Sequence, residues 1–294
     1  MKLIRKFFGI KTKEEKQQLQ KQREEMKLGV REKVSGLTQP AVHLLKTQRK
    51  TNSWFGGRPM VNDSDFIWPR SNENPMCFLA QIDLNEISQE HEYEWLGKSG
   101  AVLFFYETIE MPWGFDPKDR GKWKVIFQEN PTITMEYPND IKQECKISER
   151  YIATSKVQLL PSWEDEIIED LNLSDEETDL FIEIEEHYKE FDAFGDFPAH
   201  QVGGFPRPVQ GNIMQFESEQ ASKGVYMGDN KGYKSASKKD FEEAKNKWQL
   251  LFQFDSDDEL DVMWGDFGMV YFWVETDKSK KNNFEDSWLV LQCH

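Results

Sequence analysis

Leu250-Leu-Phe-Gln-Phe-Asp255, Gly268-Met-Val-Tyr-Phe-Trp-Val-Glu-Thr276 and Trp288-Leu-Val-Leu-Gln292 form the skeleton of the stretch Trp248–Gln292, and an earlier stretch repeats it. The earlier copy runs Phe78-Leu-Ala-Gln-Ile-Asp83, Gly100-Ala-Val-Leu-Phe-Phe-Tyr-Glu-Thr108 and Trp123-Lys-Val-Ile-Phe-Gln128. A Gly-Gly-x-Pro segment precedes each copy, Gly56-Gly-Arg-Pro59 and Gly203-Gly-Phe-Pro206. The order is the same in both halves, and the Gly…Phe…Glu-Thr spacing is identical, which reads as an internal duplication. Short apolar or alternating runs bounded by turn residues are the pattern of β-strands. The expected fold class is α+β: a β-rich single domain of two related antiparallel units, about 53–130 and 200–294.

Trp68-Pro69, Phe78-Leu-Ala-Gln-Ile-Asp83, His200-Gln-Val-Gly-Gly-Phe-Pro206 with Gln210, and Trp264-Gly-Asp-Phe-Gly268 also resemble the motifs of the YwqG-like family of bacterial proteins. The likeness runs from about Gly36 to the C-terminus and leaves the basic N-terminal segment outside. It implies a single α+β domain, usually cytoplasmic, with no established catalytic residues. Some relatives are encoded beside secreted toxins and their antidotes, which implies protein binding.

Composition narrows the function classes. With 10 Trp and 21 Phe, the chain reads as a packed globule despite its charge. Residues 1–50 carry 14 Lys/Arg and 5 Asp/Glu, whereas the remainder carries 23 and 48. A body with a net charge of −25 repels phosphate backbones, so nucleic acid is not an expected partner. Cys77, Cys145 and Cys293 are odd in number and far apart, and the expectation is reduced thiols in a cytoplasmic protein. No apolar run approaches the roughly 18 residues needed to cross a bilayer, and the N-terminus shows no signal-peptide pattern.

Residues 1–35 read as a basic, partly helical extension. Within it, Leu3, Ile4, Phe7 and Phe8 share one helical face, with Lys2, Arg5 and Lys6 on another. That pattern suits weak peripheral membrane contact through residues 1–10, or docking on a partner. The following Lys11–Lys27 is polar on every side and is marginal as a helix without a partner. Residues 36–294 form the expected domain, with an acidic helical insertion at about 160–192. Ser162-Trp-Glu-Asp165 and Ser174-Asp-Glu-Glu177 open its helices, Trp163–Leu171 and Asp175–Phe191. Glu217–Lys234 reads as a polar loop.

Candidate ligand-binding residues come from the repeated motifs. Gln81 with Asp83, and Gln253 with Asp255, each lie two apart on a strand and so face the same way. Such pairs suit a polar ligand or a hard cation; the competing reading gives Gln to neighbouring backbone groups and makes Asp a helix cap. His200, Gly204, Pro206 and Gln210 lie in a loop of restricted backbone, where binding groups tend to sit. Trp264 with Asp266 offers a ring for stacking beside a carboxylate, or else a core Trp beside a turn. Glu107 and Glu275 end matched strands and could act as acid and base if they faced one another; otherwise they are solvated strand ends. The five histidines lack zinc spacing, so neither a metal nor another cofactor is expected. The leading expectation is a cytoplasmic binding module for a protein or peptide, with a basic partner in a toxin and antidote setting. The alternative is a carboxylate-based hydrolase or transferase acting on a small molecule in a cleft between the repeats.

Overall fold

The computed structural model describes residues 12–191, 198–234 and 236–294, so the amphipathic Met1–Ile10 segment lies outside the described residues. Two compact units are present: one is built mainly from residues 12–38 and 160–191, the other from 39–159 and 198–294.

The first unit is helical. α1 (Lys13–Val34) starts on a capping box, in which Thr12 accepts from the Glu15 N–H and Glu15 accepts from the Thr12 N–H. It runs well past Lys27, because Val30 and Val34 supply an apolar stripe. These pack with Leu160, Ile168, Leu180, Phe181 and Ile184. The polar helix therefore has its partner within the acidic insertion: the extension and the insertion, separate in sequence, share one small core. Arg23 and Lys27 pair with Glu183, and Lys33 pairs with Glu177. The insertion's long helix covers Asp175–Phe191, as its pattern predicts. The helix expected at Trp163–Leu171 shrinks to Glu166–Glu169, since Asp165, not Ser162, caps it.

The second unit is a ten-stranded antiparallel sheet with short helices and two small ladders. Its strands are β1 (Gln39–Thr47), β2 (Trp54–Phe55), β3 (Cys77–Asp83), β4 (Ala101–Tyr106), β5 (Trp123–Gln128) and β6 (Arg150–Leu159), followed by β7 (Gln201–Val202), β8 (Trp248–Asp255), β9 (Met269–Glu275) and β10 (Trp288–Gln292). The order across the sheet is β10-β9-β8-β7-β1-β6-β2-β3-β4-β5. β1 and β6 form the centre, paired from Gln39↔Leu159 to Thr47↔Tyr151. The strand expected at Cys145–Val157 begins later, because Gln143–Cys145 is a 3-10 turn.

The two four-stranded wings follow one hydrogen-bonding scheme. Each carries a register shift at the same place, between Phe78 and Ala80 on one side and Leu250 and Phe252 on the other. Gly56, Gly57, Gly203 and Gly204 all take positive φ, which glycine adopts without a Cβ penalty. Three residues past each Gly-Gly pair, Met60 N–H donates to Gln81 Oε1 and Arg207 N–H donates to Gln253 Oε1. Five residues past it, Asn62 N–H donates to Gln128 Oε1 and Val209 N–H donates to Gln292 Oε1. A buried glutamine at the same position of each strand thus holds its Gly-Gly loop in place. Between the wings Phe104 lies 4.7 Å from Phe252, and Phe55 stacks on Phe254 at 5.2 Å. Burying each such ring contributes roughly 2–3 kcal/mol, with about 1 kcal/mol more from a favourable ring pair.

Two local expectations need correction. Cys77 and Cys145, both buried, are joined in a disulfide, so they are not reduced core thiols; only Cys293 is free. The sheet and the 3-10 turn bring their Cα atoms to 4.7 Å across a separation of 68 residues, which linear spacing cannot show. The segment read as a polar loop from Glu217 opens with a helix, Met214–Ser222, which buries Met214, Phe216 and Ala221 but also Glu217, Ser218 and Glu219.

Candidate functional site

The sequence-derived residues divide into two groups. Gln253, Asp255, His200 and Trp264 are joined in one chain of hydrogen bonds. Gln253 Nε2 donates to the Ala199 carbonyl at 2.6 Å, and Ala199 N–H donates to Asp255 Oδ2 at 2.8 Å. His200 Nδ1 accepts from the Asp255 N–H at 3.1 Å, and Trp264 Nε1 donates to the Asp255 carbonyl at 3.2 Å. His200 Nε2 then faces Asp257 Oδ2 at 3.1 Å, so it carries the ring proton. Burial lowers the His200 pKa, outweighing the opposing pull of Asp257, and the ring is neutral at pH 7. Lys46 completes the set, 2.7 Å from Asp257. Both ring nitrogens are committed, which leaves neither for a substrate proton. A depression of about 410 Å³ lies over Asp255, Asp257 and Glu259, rimmed by exposed Met263 and Phe267.

The other candidates stand apart from this chain. Gln81 serves Met60 as described, and Asp83 caps the helix Leu84–Glu90 through the Asn85 and Glu86 N–H groups. Glu86 turns instead to the Asn52 N–H, so the reciprocal half of a capping box is missing. Gly204 packs against Ala41, Pro206 is buried, and Gln210 is exposed with its N–H on Gln292 Oε1. Asp266 is exposed, whereas Trp264 is a core ring. Glu107 is not a solvated strand end: it is buried and accepts from the Ile109 and Glu110 N–H groups. Glu275 pairs with Lys278 at 2.9 Å and Lys247 at 3.5 Å.

A second concavity lies elsewhere, in a groove of about 670 Å³ between the segments 110–122 and 226–233. Its first wall is the loop after β4. Tyr106 Oη donates to the Pro112 carbonyl at 2.8 Å, and Gly114 N–H donates to Asp119 Oδ2 at 3.1 Å. Asp116 caps the 3-10 turn Pro117–Asp119. The loop is seated on β10, because Leu291 N–H donates to the Trp113 carbonyl and Trp288 Nε1 donates to the Gly114 carbonyl. The second wall is tied to the first by Met227 N–H, which donates to the Phe115 carbonyl at 2.8 Å.

Trp113 is 40% exposed and Tyr226 50%, so two aromatic rings face water at the rim. Glu110, Asp116, Asp119 and Asp229 line the groove against one cation, Lys122. Lys122 reaches Glu110 at 3.0 Å and Asp119 at 3.2 Å, and the Glu110 bond leads in raising its pKa. The site therefore offers aromatic faces and surplus negative charge, the environment that holds ammonium and guanidinium groups. The two walls lie more than a hundred residues apart in the chain, and the second falls in the stretch Glu217–Lys234, whose composition reads as a polar loop. Among the described residues no group of three or more His, Cys, Asp or Glu side chains could hold a metal ion, and no helix is long and apolar enough to cross a membrane.

A curved antiparallel sheet carrying an acidic, aromatic-rimmed groove defines a mixed α+β protein. The chain belongs to the family described as domain of unknown function DUF1963, whose model matches residues 53–293. No curated protein matches it.

Proposed function

We propose that the β-rich unit is a binding module that takes a positively charged segment of a partner protein in the Trp113–Tyr226 groove. The observation that carries this reading is the juxtaposition of two exposed aromatic rings with four carboxylates and a single lysine. The charge of the body beyond residue 50 supports it, because a strongly acidic surface speeds encounter with a basic partner and repels acidic ones. The shared bonding scheme of the two wings supports an internal duplication, and the motifs quoted at the outset support a YwqG-like protein of bacterial origin. In this reading the duplication built the scaffold. The groove arose where the loop of one wing rests on the last strand of the other.

The test is binding of a fluorescent peptide alternating Arg and Leu, against the same peptide with Glu for Arg. The basic peptide is expected to bind, with affinity falling as salt rises. Trp113→Ala should weaken it about tenfold, in line with loss of an exposed aromatic anchor. Equal binding of the two peptides, or a Trp113→Ala protein that binds like wild type, would remove the groove from this role.

A further inference from the structure

Beneath the second wall of the groove lies a carboxylate that nothing above employs. Glu217, on the helix Met214–Ser222, is 8% exposed, and its Oε2 has no hydrogen-bond partner among the described residues. Its Oε1 lies 2.8 Å from Tyr233 Oη, and the same hydroxyl lies 3.0 Å from the Met227 carbonyl. Met227 N–H in turn donates to Phe115, across the groove. Glu217, Tyr233, Met227 and Phe115 thus form one line from a buried acid to both walls.

We propose that Glu217 is the positioning residue of this groove and that a proton on its carboxyl latches the Tyr226–Tyr233 wall shut. The inference rests on the groove being the binding site only for its consequence for affinity; the latch itself does not need a ligand. The proton count decides the mechanism. Tyr233 has one hydroxyl hydrogen and two acceptors within reach. When Glu217 is ionised, that hydrogen goes to the carboxylate, because a charged acceptor makes the stronger bond, and the Met227 carbonyl loses its donor. When Glu217 is protonated, the carboxyl donates to Tyr233 Oη, and the tyrosine hydrogen is free for Met227. Both bonds then exist together, and the wall is held.

The surroundings place the transition near neutrality. Burial raises the Glu217 carboxyl to about 7, against a smaller lowering by Tyr233. Burial likewise holds the Tyr233 phenol far above its usual value, so only the acid titrates here. Two nearby cations are engaged elsewhere. Lys223 and Lys247 pair with Glu219, which also accepts from Trp248 Nε1. The helix Lys238–Lys247 turns Phe241 toward Phe216, at 4.3 Å, and β10 carries no charged side chain.

The experiment is amide hydrogen exchange of the full chain over residues 225–234, corrected for intrinsic rates, at pH 6 and pH 8. Wild-type protection should fall about fivefold from pH 6 to pH 8, the effect of one lost hydrogen bond. Glu217→Gln, whose amide can donate to Tyr233 at any pH, should stay at the protected level throughout. Tyr233→Phe should stay at the unprotected level. A pH-independent wild type, or a Glu217→Gln protein that still changes with pH, would overturn the latch. Melting gives a second readout with a fixed sign. A carboxyl raised from 4.5 to about 7 on folding contributes stability that is present below pH 4.5 and lost as pH rises through 7. Glu217→Gln should therefore melt above wild type at pH 8 and with it at pH 4; equal melting at pH 8 would count against a strained buried acid. If the exchange switch appears while the Arg–Leu peptide does not bind, the latch stands and the binding role falls.

Discussion

Gly114→Ala should cost the β-rich unit roughly 4 kcal/mol, at the upper end of single-residue effects, read as a fall in the urea midpoint. Two causes add. Gly114 has φ +79°, a left-handed conformation that costs an L-residue about 1–2 kcal/mol. A Cβ there would also drive into the carbonyl of Leu289, which is β10 backbone and cannot swing aside as a side chain would. Gly121 supplies the control: its φ is +95°, but a Cβ would meet nothing within 4 Å. Gly121→Ala should thus lose only the conformational part, roughly 1–2 kcal/mol. Equal losses at the two glycines would show that the approach to β10 is not as tight as described.

The second large effect concerns the Cys77–Cys145 disulfide. Chain-entropy arithmetic for a loop closed across 68 residues gives about 4 kcal/mol, with measured effects more often 2–4. Cys145→Ser should lower the melting temperature accordingly, as should a thiol reductant on wild type but not on the variant. The affected segment is identifiable. Residues 129–149 carry Tyr137, whose hydroxyl donates to the Gly57 carbonyl at 2.7 Å, and Asp140, which Arg70 grips through both nitrogens. They also carry Ile141 and Ile147, both buried. A thiol count in denaturant without reductant should give one reactive group, Cys293, and three after reduction. Three without reductant would restore the reduced state that the wide cysteine spacing suggested.

Legibility followed the range of the interactions. The β-strands of both wings were readable because period-2 patterning and turn residues are local, and Trp123–Gln128 and Trp288–Gln292 fall where their patterns put them. The candidate residues of the C-terminal wing could be named, but not what each bonds. Gln81 and Gln253 spend their carbonyl oxygens on loop N–H groups 21 and 46 residues away, and His200 spends both nitrogens on Asp255 and Asp257. The helix Met214–Ser222 was hidden by its own chemistry, since Glu217-Ser-Glu-Gln220 reads as solvated and is largely buried. Its acids survive there for different reasons: Glu219 is neutralised by two lysines, whereas among the described residues Glu217 finds only a phenol. The groove was the least legible feature, because neither wall is a groove without the other.

The seat of Trp113 on β10 has a further consequence. A strand at the end of a sheet presents unpaired N–H and C=O groups and is a template for another chain to join. β10 is such a strand, and its Trp288-Leu-Val-Leu291 core would be adhesive if bared. The Leu291 N–H is instead spent on the Trp113 carbonyl, and Gly114 lies flush against Leu289. One segment therefore serves as both the rim of the groove and the guard of the sheet's open margin. Whatever the groove holds can grip the Trp113 ring but must leave its backbone seated, since prying it loose would turn a recognition event into the first step of self-association.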